Sequence, residues 1–475
     1  METSVEDLYK DKEAEEGFRD KIATVDDQGK RIWVYPKKPK GKLTNYRGIV
    51  ATLLLLILFA SPFIKVDGQP FLLFNIFERK FIIFGQVFWP QDFFLAVIGM
   101  ITLLVIIVLF TVVFGRIFCG WICPQTIFME WVFRKVEYWI EGDYMAQRQL
   151  DKKPWNQEKI IKKVSKHAIF LLISALIMHT FMAYIVGVDR TWELIASGPT
   201  VEPMGFVAMV FLTGAFYGVF GFLREQVCTT ICPYGRLQGV LLDRQSIVVA
   251  YDHERGETRG KFRKDENRET TGKGDCIDCK QCVYVCPTGI DIRNGTQLEC
   301  VNCTACIDAC NSIMDRVDLP RGLIRYASEQ NIADKLPFRF TVKMKAYTSV
   351  LILLIGFLVT LLVIRSDFET TILRTPGMMY QTRDDGSITN LYQVKIVNKT
   401  NEPHDVSFKL LEPEGKIEMV GSGIILKEQG IGQGAFFVVI DPNNLTQMST
   451  QIKVGVYTGD ELIETVKTKF LGPAK

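Results

Sequence analysis

Residues 276–287 read CIDCKQCVYVCP, and this stretch decides how the middle of the chain folds. Its four cysteines have the spacing C-x-x-C-x-x-C-x-x-x-C-P. Residues 300–310, CVNCTACIDAC, repeat that spacing, with Asn311 where the first run has its proline. Three sulfurs so close along the chain can converge from one tight loop, while a fourth ligand arrives from elsewhere. We therefore expect the two runs to fold together.

Ferredoxins with two [4Fe–4S] clusters have this spacing, and in them the last cysteine of each run ligates the other cluster. The predicted ligands of the first cluster are Cys276, Cys279, Cys282 and Cys310, and those of the second are Cys300, Cys303, Cys306 and Cys286. A zinc site is the main alternative, but zinc ligands usually come as separated pairs. The runs therefore predict a two-cluster, ferredoxin-like segment.

The composition indicates a membrane protein with polar appendages. The chain has 475 residues, of which 48% are hydrophobic and 23% charged, and its formal net charge is +3. That balance excludes a nucleic-acid binder that relies on bulk positive charge. A mean hydropathy of +0.13 beside so many charges indicates apolar blocks. Five blocks are long enough to span a bilayer: residues 48–64, 93–114, 168–188, 204–223 and 346–364.

Basic residues in the loops predict the orientation of the spans. Lys and Arg are concentrated just before the first span and in residues 134–166, whereas the loops on the opposite side contain few. The positive-inside rule then places the N-terminus and residues 224–345 in the cytoplasm, and residues 366–475 outside it. Residues 71–90 are too interrupted by charge to span, so we expect an outer hairpin there, at the lipid interface.

Residues 366–475 have the pattern of an all-β domain. Short alternating runs such as 392–397 and 436–440 are separated by turn signals such as Asp441-Pro442. Several strands within this length predict a β-sandwich. None of the 12 cysteines lies there, so the thiols on the predicted cytoplasmic side are expected to bind metal rather than form disulfides.

Two further cysteine pairs lie at the ends of the second and fourth spans. Each has the spacing C-x-x-x-C-P, and the pairs are Cys119 with Cys123 and Cys228 with Cys232. Positions i and i+4 share a helix face, so each pair presents two sulfurs, and the following proline redirects the chain. Two equivalent spans would bring the pairs together around a pseudo-two-fold axis. This predicts one site with up to four thiolates at the membrane surface.

Several occupants suit these four cysteines. Soft thiolates select Cu(I), zinc or iron–sulfur clusters, so copper and a third iron–sulfur cluster are the main alternatives, beside buried cysteines without a ligand. Arg116, Arg224 and Arg236 lie close in sequence and are expected to lower the pKa of the thiols. We predict copper at this site, with the four cysteines as the catalytic residues.

His179 is an ionisable residue inside the third span, in the segment MHTFM at 178–182. Such residues are functional candidates by default, and methionine beside histidine suits copper or haem. A hydrogen-bonded packing histidine is the alternative. His179 is therefore a further candidate metal ligand.

Together these motifs resemble the FixG/CcoG (RdxA) family of cytochrome c oxidase accessory proteins. The resemblance extends over residues 29–36 (GKRIWVYP), 119–142, 228–238, 287–291 (PTGID) and 390–399. It implies a bacterial inner-membrane ferredoxin with an immunoglobulin-like outer domain. It also implies reduction of Cu(II) to Cu(I) during maturation of cbb3-type haem–copper oxidase, before the metal passes to copper chaperones or a copper-exporting ATPase.

The predicted fold class is mixed, with a multi-span α-helical membrane domain, an inserted two-cluster ferredoxin-like domain and a C-terminal immunoglobulin-like β-sandwich. The expected divisions are a cytoplasmic N-terminal segment at 1–47, a four-span domain at 48–240, a ferredoxin-type domain at 241–345, a fifth span at 346–365 and a periplasmic domain at 366–475.

The expected mechanism is one-electron transfer from the two clusters to Cu(II) held at or near the four thiolates. Two other functions stay open. One is a quinol-oxidising subunit that feeds a partner reductase, as in similar NapH-type ferredoxins. The other is an assembly scaffold whose tail binds the oxidase. The expected partners are the membrane, copper ions, copper chaperones, a copper-exporting ATPase and cbb3 oxidase subunits, with no nucleic acid; the electron donor and a homodimer stay open.

Overall fold

The computed structural model describes residues 24–473 except 26–27, 67, 264–265, 267, 269, 336–340, 378, 401, 422 and 446. The described part does not include residues 1–23 of the expected N-terminal segment. It also does not include the side chain of Arg236. The chain forms two compact units. The first comprises residues up to Ile64, Leu73–Asn75 and Ala96–Gly356, and the second comprises Lys65–Leu72, Ile76–Leu95 and Phe357–Lys475.

The α-helices and π-helices carry the membrane part and the cysteine motifs. The α-helices are α1 (Lys42–Ala60), α2 (Phe93–Phe114), α3 (Ile117–Trp121), α4 (Pro124–Ile127), α5 (Arg134–Ile140), α6 (Tyr144–Lys152), α7 (Gln157–Val186), α8 (Val188–Val201), α9 (Pro203–Gly218), α10 (Pro233–Leu241), α11 (His253–Gly256), α12 (Gln281–Tyr284), α13 (Ala305–Arg316), α14 (Glu329–Ala333) and α15 (Val342–Val363). Segments Phe128–Phe133, Val219–Leu223 and Val227–Ile231 are π-helical.

Five helices of the described chain are long and apolar enough to cross a bilayer, as the hydropathy predicts. They are Lys42–Phe63, Phe93–Phe114, Gln157–Val186, Pro203–Leu223 and Met344–Val363. The third begins eleven residues before the predicted apolar block, because Asn156 caps it by accepting a hydrogen bond from the Lys159 N–H at 2.9 Å. The charge-rich residues 157–167 therefore form the first turns of the same helix.

The first spanning helix begins without a side-chain cap of its own. Gly41 occupies the cap position, and the buried carboxylate of Asp308, in α13, takes its place. Asp308 accepts hydrogen bonds from the Thr44 N–H and hydroxyl, both at 2.7 Å, and from the Leu43 N–H at 3.2 Å. An aspartate at a helix N-terminus satisfies amides that the helix itself leaves unpaired. This cap fixes the ferredoxin segment to the first span.

The second unit contains two antiparallel sheets that form the predicted β-sandwich. The strands are β8 (Phe368–Arg374), β9 (Gln381–Thr382), β10 (Ile388–Asn398), β11 (His404–Glu412), β12 (Gly415–Val420), β13 (Ile424–Leu426), β14 (Ile431–Ile440), β15 (Ser449–Thr458) and β16 (Glu461–Leu471). One sheet has the order β12-β14-β10-β8, with β9 also paired to β10, and the other has the order β13-β11-β15-β16. The fully buried Tyr392 in one sheet donates to the Lys469 carbonyl in the other at 2.8 Å.

The predicted outer hairpin is formed by short strands. The remaining strands of the chain are β1 (Lys65–Val66), β2 (Gln69–Pro70), β3 (Leu72–Asn75), β4 (Lys80–Ile83), β5 (Gln86–Phe88), β6 (Val248–Tyr251) and β7 (Ile324–Ala327). Strands β4 and β5 pair antiparallel. Just after them, Asp92 forms ion pairs with Arg365 and Lys399, each at 2.7 Å. The hairpin therefore belongs with the sandwich, and its place at a lipid interface stays a prediction.

Candidate metal centres

The two ferredoxin runs fold into matching loops. In each, the second and fourth residues after the first cysteine have positive φ: Asp278 at 51° and Lys280 at 55°, Asn302 at 53° and Thr304 at 64°. Left-handed conformations are costly for residues with a Cβ, so their repetition indicates a constrained loop. In the second loop the amide of Asn302 is directed at the Cys300 sulfur. The second loop thereby directs backbone N–H donors at its sulfurs, from Asn302 to Cys300 and from Ala305 to Cys303.

Two cavities collect the cysteines in the crossed arrangement that the spacing predicts. One cavity is lined by Cys276, Cys279, Cys282 and Cys310. The other is lined by Cys286, Cys300, Cys303 and Cys306, with Cys282 on its wall. Four thiols around each cavity fit a [4Fe–4S] cluster. Cys282 borders both cavities, which makes them neighbours.

Burial opposes the ionisation of several thiols in these cavities. Burial raises the pKa of Cys300 and Cys310 to about 12 and that of Cys303 to about 11. Backbone amides oppose this rise, and three of them, from Thr288 to Ile290, point at Cys286. Iron has to displace these protons, since thiolate is the ligand form. Burial therefore favours the neutral form of Cys300, Cys303 and Cys310.

The two C-x-x-x-C-P motifs share one local conformation. The first cysteine lies in a single helical turn, α3 for Cys119 and Val227–Ile231 for Cys228. The second cysteine is extended and precedes a proline that begins the next helix. Cys123 N–H donates to the Phe118 carbonyl at 2.9 Å, and Cys232 N–H donates to the Val227 carbonyl at 2.7 Å. The expectation of one helix carrying both cysteines of a pair is wrong, because the proline ends that helix first.

The four motif cysteines form one group, which we name the quartet: Cys119, Cys123, Cys228 and Cys232. All six pairs among them lie close enough for thiolate–thiolate repulsion. Each is half-buried, and burial raises the pKa of Cys119 to about 11 and that of Cys228 to about 12. The structure thus brings both motifs to one place, as predicted.

Of the three arginines expected to lower the thiol pKa, Arg116 does so at Cys119, although the pKa of Cys119 is raised overall. The cost of burying this thiol is larger than the effect of Arg116. Arg224 is committed elsewhere, because it donates to both carboxylate oxygens of Glu137 at 2.9 Å. Arg116 instead lies close to both Cys119 and Cys300, between the quartet and the second ferredoxin loop.

The quartet lies directly against the second ferredoxin loop. A Cβ on Gly120 would be 2.5 Å from the Val301 carbonyl oxygen and 2.7 Å from that of Asn302. Cys119 and Cys228 also pack against the buried cluster that contains Val301 and Cys303. Sequence reasoning missed this contact, although a glycine inside a cysteine motif indicates a close backbone approach.

A buried ion network lies beside the second motif, and the sequence patterns did not predict its pairings. Besides its bidentate pair with Arg224, Glu137 lies 3.7 Å from Lys166, which also contacts Glu141 at 3.0 Å. Burial alone would raise the pKa of Glu137, but Arg224 and Lys166 hold it below its ordinary value. The network also includes Arg31, Glu130, Arg134, Asp151, Lys163 and Glu225.

The GKRIWVYP segment completes this network. Trp33 packs against the guanidinium groups of Arg31 at 4.2 Å and Arg224 at 4.8 Å. Arg31 also pairs with Glu225 at 2.9 Å. Cation–π contacts of this kind are strong when desolvated. The N-terminal segment thereby holds the chain that leads from the fourth span into the second cysteine motif.

His179 lies apart from the cysteines. It lines a cavity between α7, α8 and α9, together with Met182 and Met209, and none of the cysteines contributes to that lining. Its Nδ1 donates to the Ala175 carbonyl at 2.6 Å. The structure therefore does not join His179 to the quartet.

Within the described chain, no three His, Cys, Asp or Glu side chains surround one point closely enough for a single metal ion. Copper at the quartet and at His179 stays a prediction.

Comparison with known proteins places this chain among relatives. Residues 223–329 match a 4Fe-4S dicluster domain, residues 96–142 match a 4Fe-4S binding domain, and residues 358–473 match the IG-like fold at the C-terminal of FixG. Nitrogen fixation protein FixG of Rhizobium meliloti is 31% identical over 88% of this chain and 86% of its own length. The chain belongs to the FixG family. Protein RdxA of Cereibacter sphaeroides is 35% identical over 80% of this chain and 82% of RdxA.

The family assignment confirms the resemblance that the motifs predict. This FixG-family chain is a membrane protein of iron–sulfur electron transfer, with two 4Fe-4S binding domains and an immunoglobulin-like β-sandwich. A more distant relative, ferredoxin-type protein NapH of Escherichia coli, is 24% identical over 46% of this chain and 66% of NapH.

Proposed function

We propose that this protein reduces Cu(II) to Cu(I) in support of cbb3-type cytochrome c oxidase assembly. The observation that supports it is the unbroken series of cysteine sites. Cys282 borders both ferredoxin cavities, and the quartet packs against the second ferredoxin loop. Electrons that enter the first ferredoxin cavity can therefore leave at the quartet.

The residues of the quartet favour the reduced product. Bound [4Fe–4S] clusters supply single electrons at low potential. Cu(II), the substrate, gains one electron at or beside the quartet and becomes Cu(I), and no proton or covalent bond moves. Soft sulfur ligands stabilise Cu(I) over Cu(II). Arg116 places a positive charge beside Cys119 and Cys300, which offsets negative charge as electrons pass.

The positive-inside rule predicts on which side of the membrane each domain lies. It supports a bacterial inner-membrane protein with the ferredoxin loops and the quartet in the cytoplasm and the sandwich in the periplasm. Cu(I) would then be released on the cytoplasmic side, where a copper chaperone or a copper-exporting ATPase would receive it. The sandwich would be free to contact oxidase subunits.

Cu(I) formation by the purified full-length protein tests the proposal. The anaerobic, cluster-loaded protein is reduced with dithionite, freed of excess reductant and mixed with Cu(II) and a Cu(I)-specific chelator. We expect one Cu(I) per stored electron for the wild type, strong loss in Cys232→Ser, and wild-type yield in the control Thr229→Ser. No Cu(I) from the fully reduced wild type would refute the proposal.

Quinol oxidation is the second candidate function, because of the cavity at His179. That cavity is apolar except for His179, Thr191 and Thr213, as expected of a site for a small lipophilic ligand with a few polar groups. Menaquinol that reduces the clusters of the purified protein, with no reoxidation by Cu(II), would favour this function. Cluster reduction that ignores menaquinol but responds to Cu(II) would exclude it.

A further inference from the structure

The quartet has the number of ligands that a cluster takes. It keeps all six of its cysteine pairs within electrostatic reach, and Cys119 and Cys228 pack against the buried side chains that include Cys303. Four thiolates that share one place are the usual ligand set of a [4Fe–4S] cluster.

The family match at residues 96–142 gives independent support. That segment matches a 4Fe-4S binding domain, yet it contains only two cysteines, Cys119 and Cys123. A [4Fe–4S] cluster usually takes four thiolates. The structure supplies the missing pair, since Cys228 and Cys232 converge on the same place.

The surroundings of the quartet suit an electron-rich group. Backbone amides of Gln125 and Thr126 are directed at the Cys123 sulfur. The fully buried Gln238 lies 3.5 Å from the Cys119 sulfur through its Oε1, and its Nε2 has no partner among the described residues. Turning this amide over would direct its N–H at the sulfur. Donors to cluster sulfurs are among the features that set cluster potentials.

We infer that Cys119, Cys123, Cys228 and Cys232 ligate a third [4Fe–4S] cluster, which follows the second ferredoxin cluster along the electron path. The inference rests on the proposed function and deepens it, because it names the group from which Cu(II) would receive its electron. With all four thiolates on the cluster, Cu(II) would be reduced beside the quartet rather than on its sulfurs. It does not depend on copper, since the ligand set would serve any acceptor at this end of the path.

Iron and acid-labile sulfide counts on the anaerobically reconstituted full-length protein test the inference. We expect about twelve iron and twelve sulfide per chain, and about eight of each in Cys123→Ser and in Cys232→Ser. The double variant should also keep about eight, because both cysteines serve one cluster. The control Thr229→Ser should keep about twelve. EPR of the reduced single variants should lack one cluster signal and retain the two of the ferredoxin sets.

A wild-type count of about eight, unchanged in Cys123→Ser, would overturn the inference. So would a double variant that loses more iron than either single variant, because the pairs would then hold separate sites. Gel filtration in detergent identifies a variant that fails to fold. In that case the iron count of the wild type alone tests the inference. A count of about twelve iron per chain in a protein that does not reduce Cu(II) would support the third cluster and refute only Cu(II) as the electron acceptor.

Discussion

Replacing Gly120 by alanine should separate the quartet from the second ferredoxin loop. The new Cβ would lie 2.5 Å from the Val301 carbonyl oxygen and 2.7 Å from that of Asn302. Both obstacles are backbone, so no side chain can rotate away. The backbone segments around Gly120 and Val301 must move apart by roughly 0.9 Å to restore an ordinary contact, and overpacking of this kind costs about 1–3 kcal/mol.

Thermal unfolding in detergent, followed by circular dichroism, measures this cost. Gly99→Ala is the matched control, because Gly99 lies in a spanning helix and no atom lies within 4 Å of the position that its new Cβ would take. Alanine there should leave stability unchanged or raise it by up to about 1 kcal/mol. Gly120→Ala should also slow reoxidation of the ferredoxin clusters by Cu(II). Equal stability and equal reoxidation in the two variants would refute the contact.

Three further substitutions probe other parts of the chain. Asp308→Ala should lower the free energy of unfolding by about 0.5–2 kcal/mol, since it removes the cap of the first span; chemical denaturation in mixed micelles measures it. Glu137→Gln should cost about 3–5 kcal/mol by removing the buried charge that pairs with Arg224 and Lys166, whereas the exposed Glu158→Gln should cause no measurable change. Burial alone would raise the pKa of Asp252, but its ion pair and helix-cap bond lower it. The stabilisation from Asp252 is therefore present above the pKa of this carboxyl in the unfolded protein and is lost as pH falls through its pKa in the folded protein. Asp252→Asn should make the free energy of unfolding depend less on pH in that acidic range.

Local patterns predicted the parts of the fold that depend on short stretches of sequence. Hydropathy located all five spanning helices within a few residues, except the early start of the third. Alternating runs predicted the sandwich, and cysteine spacing predicted which thiols share a cavity, including the crossed Cys286 and Cys310. These features follow from periodicity and ligand spacing alone.

Contacts between distant segments could not be predicted from one sequence. Asp308 and Thr44 are 264 residues apart, and nothing near either indicates their pairing. Arg224 follows a span and precedes a cysteine motif, and this position favours a role beside the thiols. In the structure its guanidinium donates to Glu137 instead. Long-range ion pairs are decided by packing, so only the fold could show them.

The rate at which Cu(II) reoxidises the ferredoxin clusters tests the central claim most directly. Reduced full-length protein is mixed with Cu(II), frozen at successive times and examined by EPR, in the wild type and in Cys123→Ser. We predict rapid loss of the ferredoxin signals in the wild type and persistent signals in the variant. Equal reoxidation in both would show that electrons reach copper without the quartet, which contradicts the account.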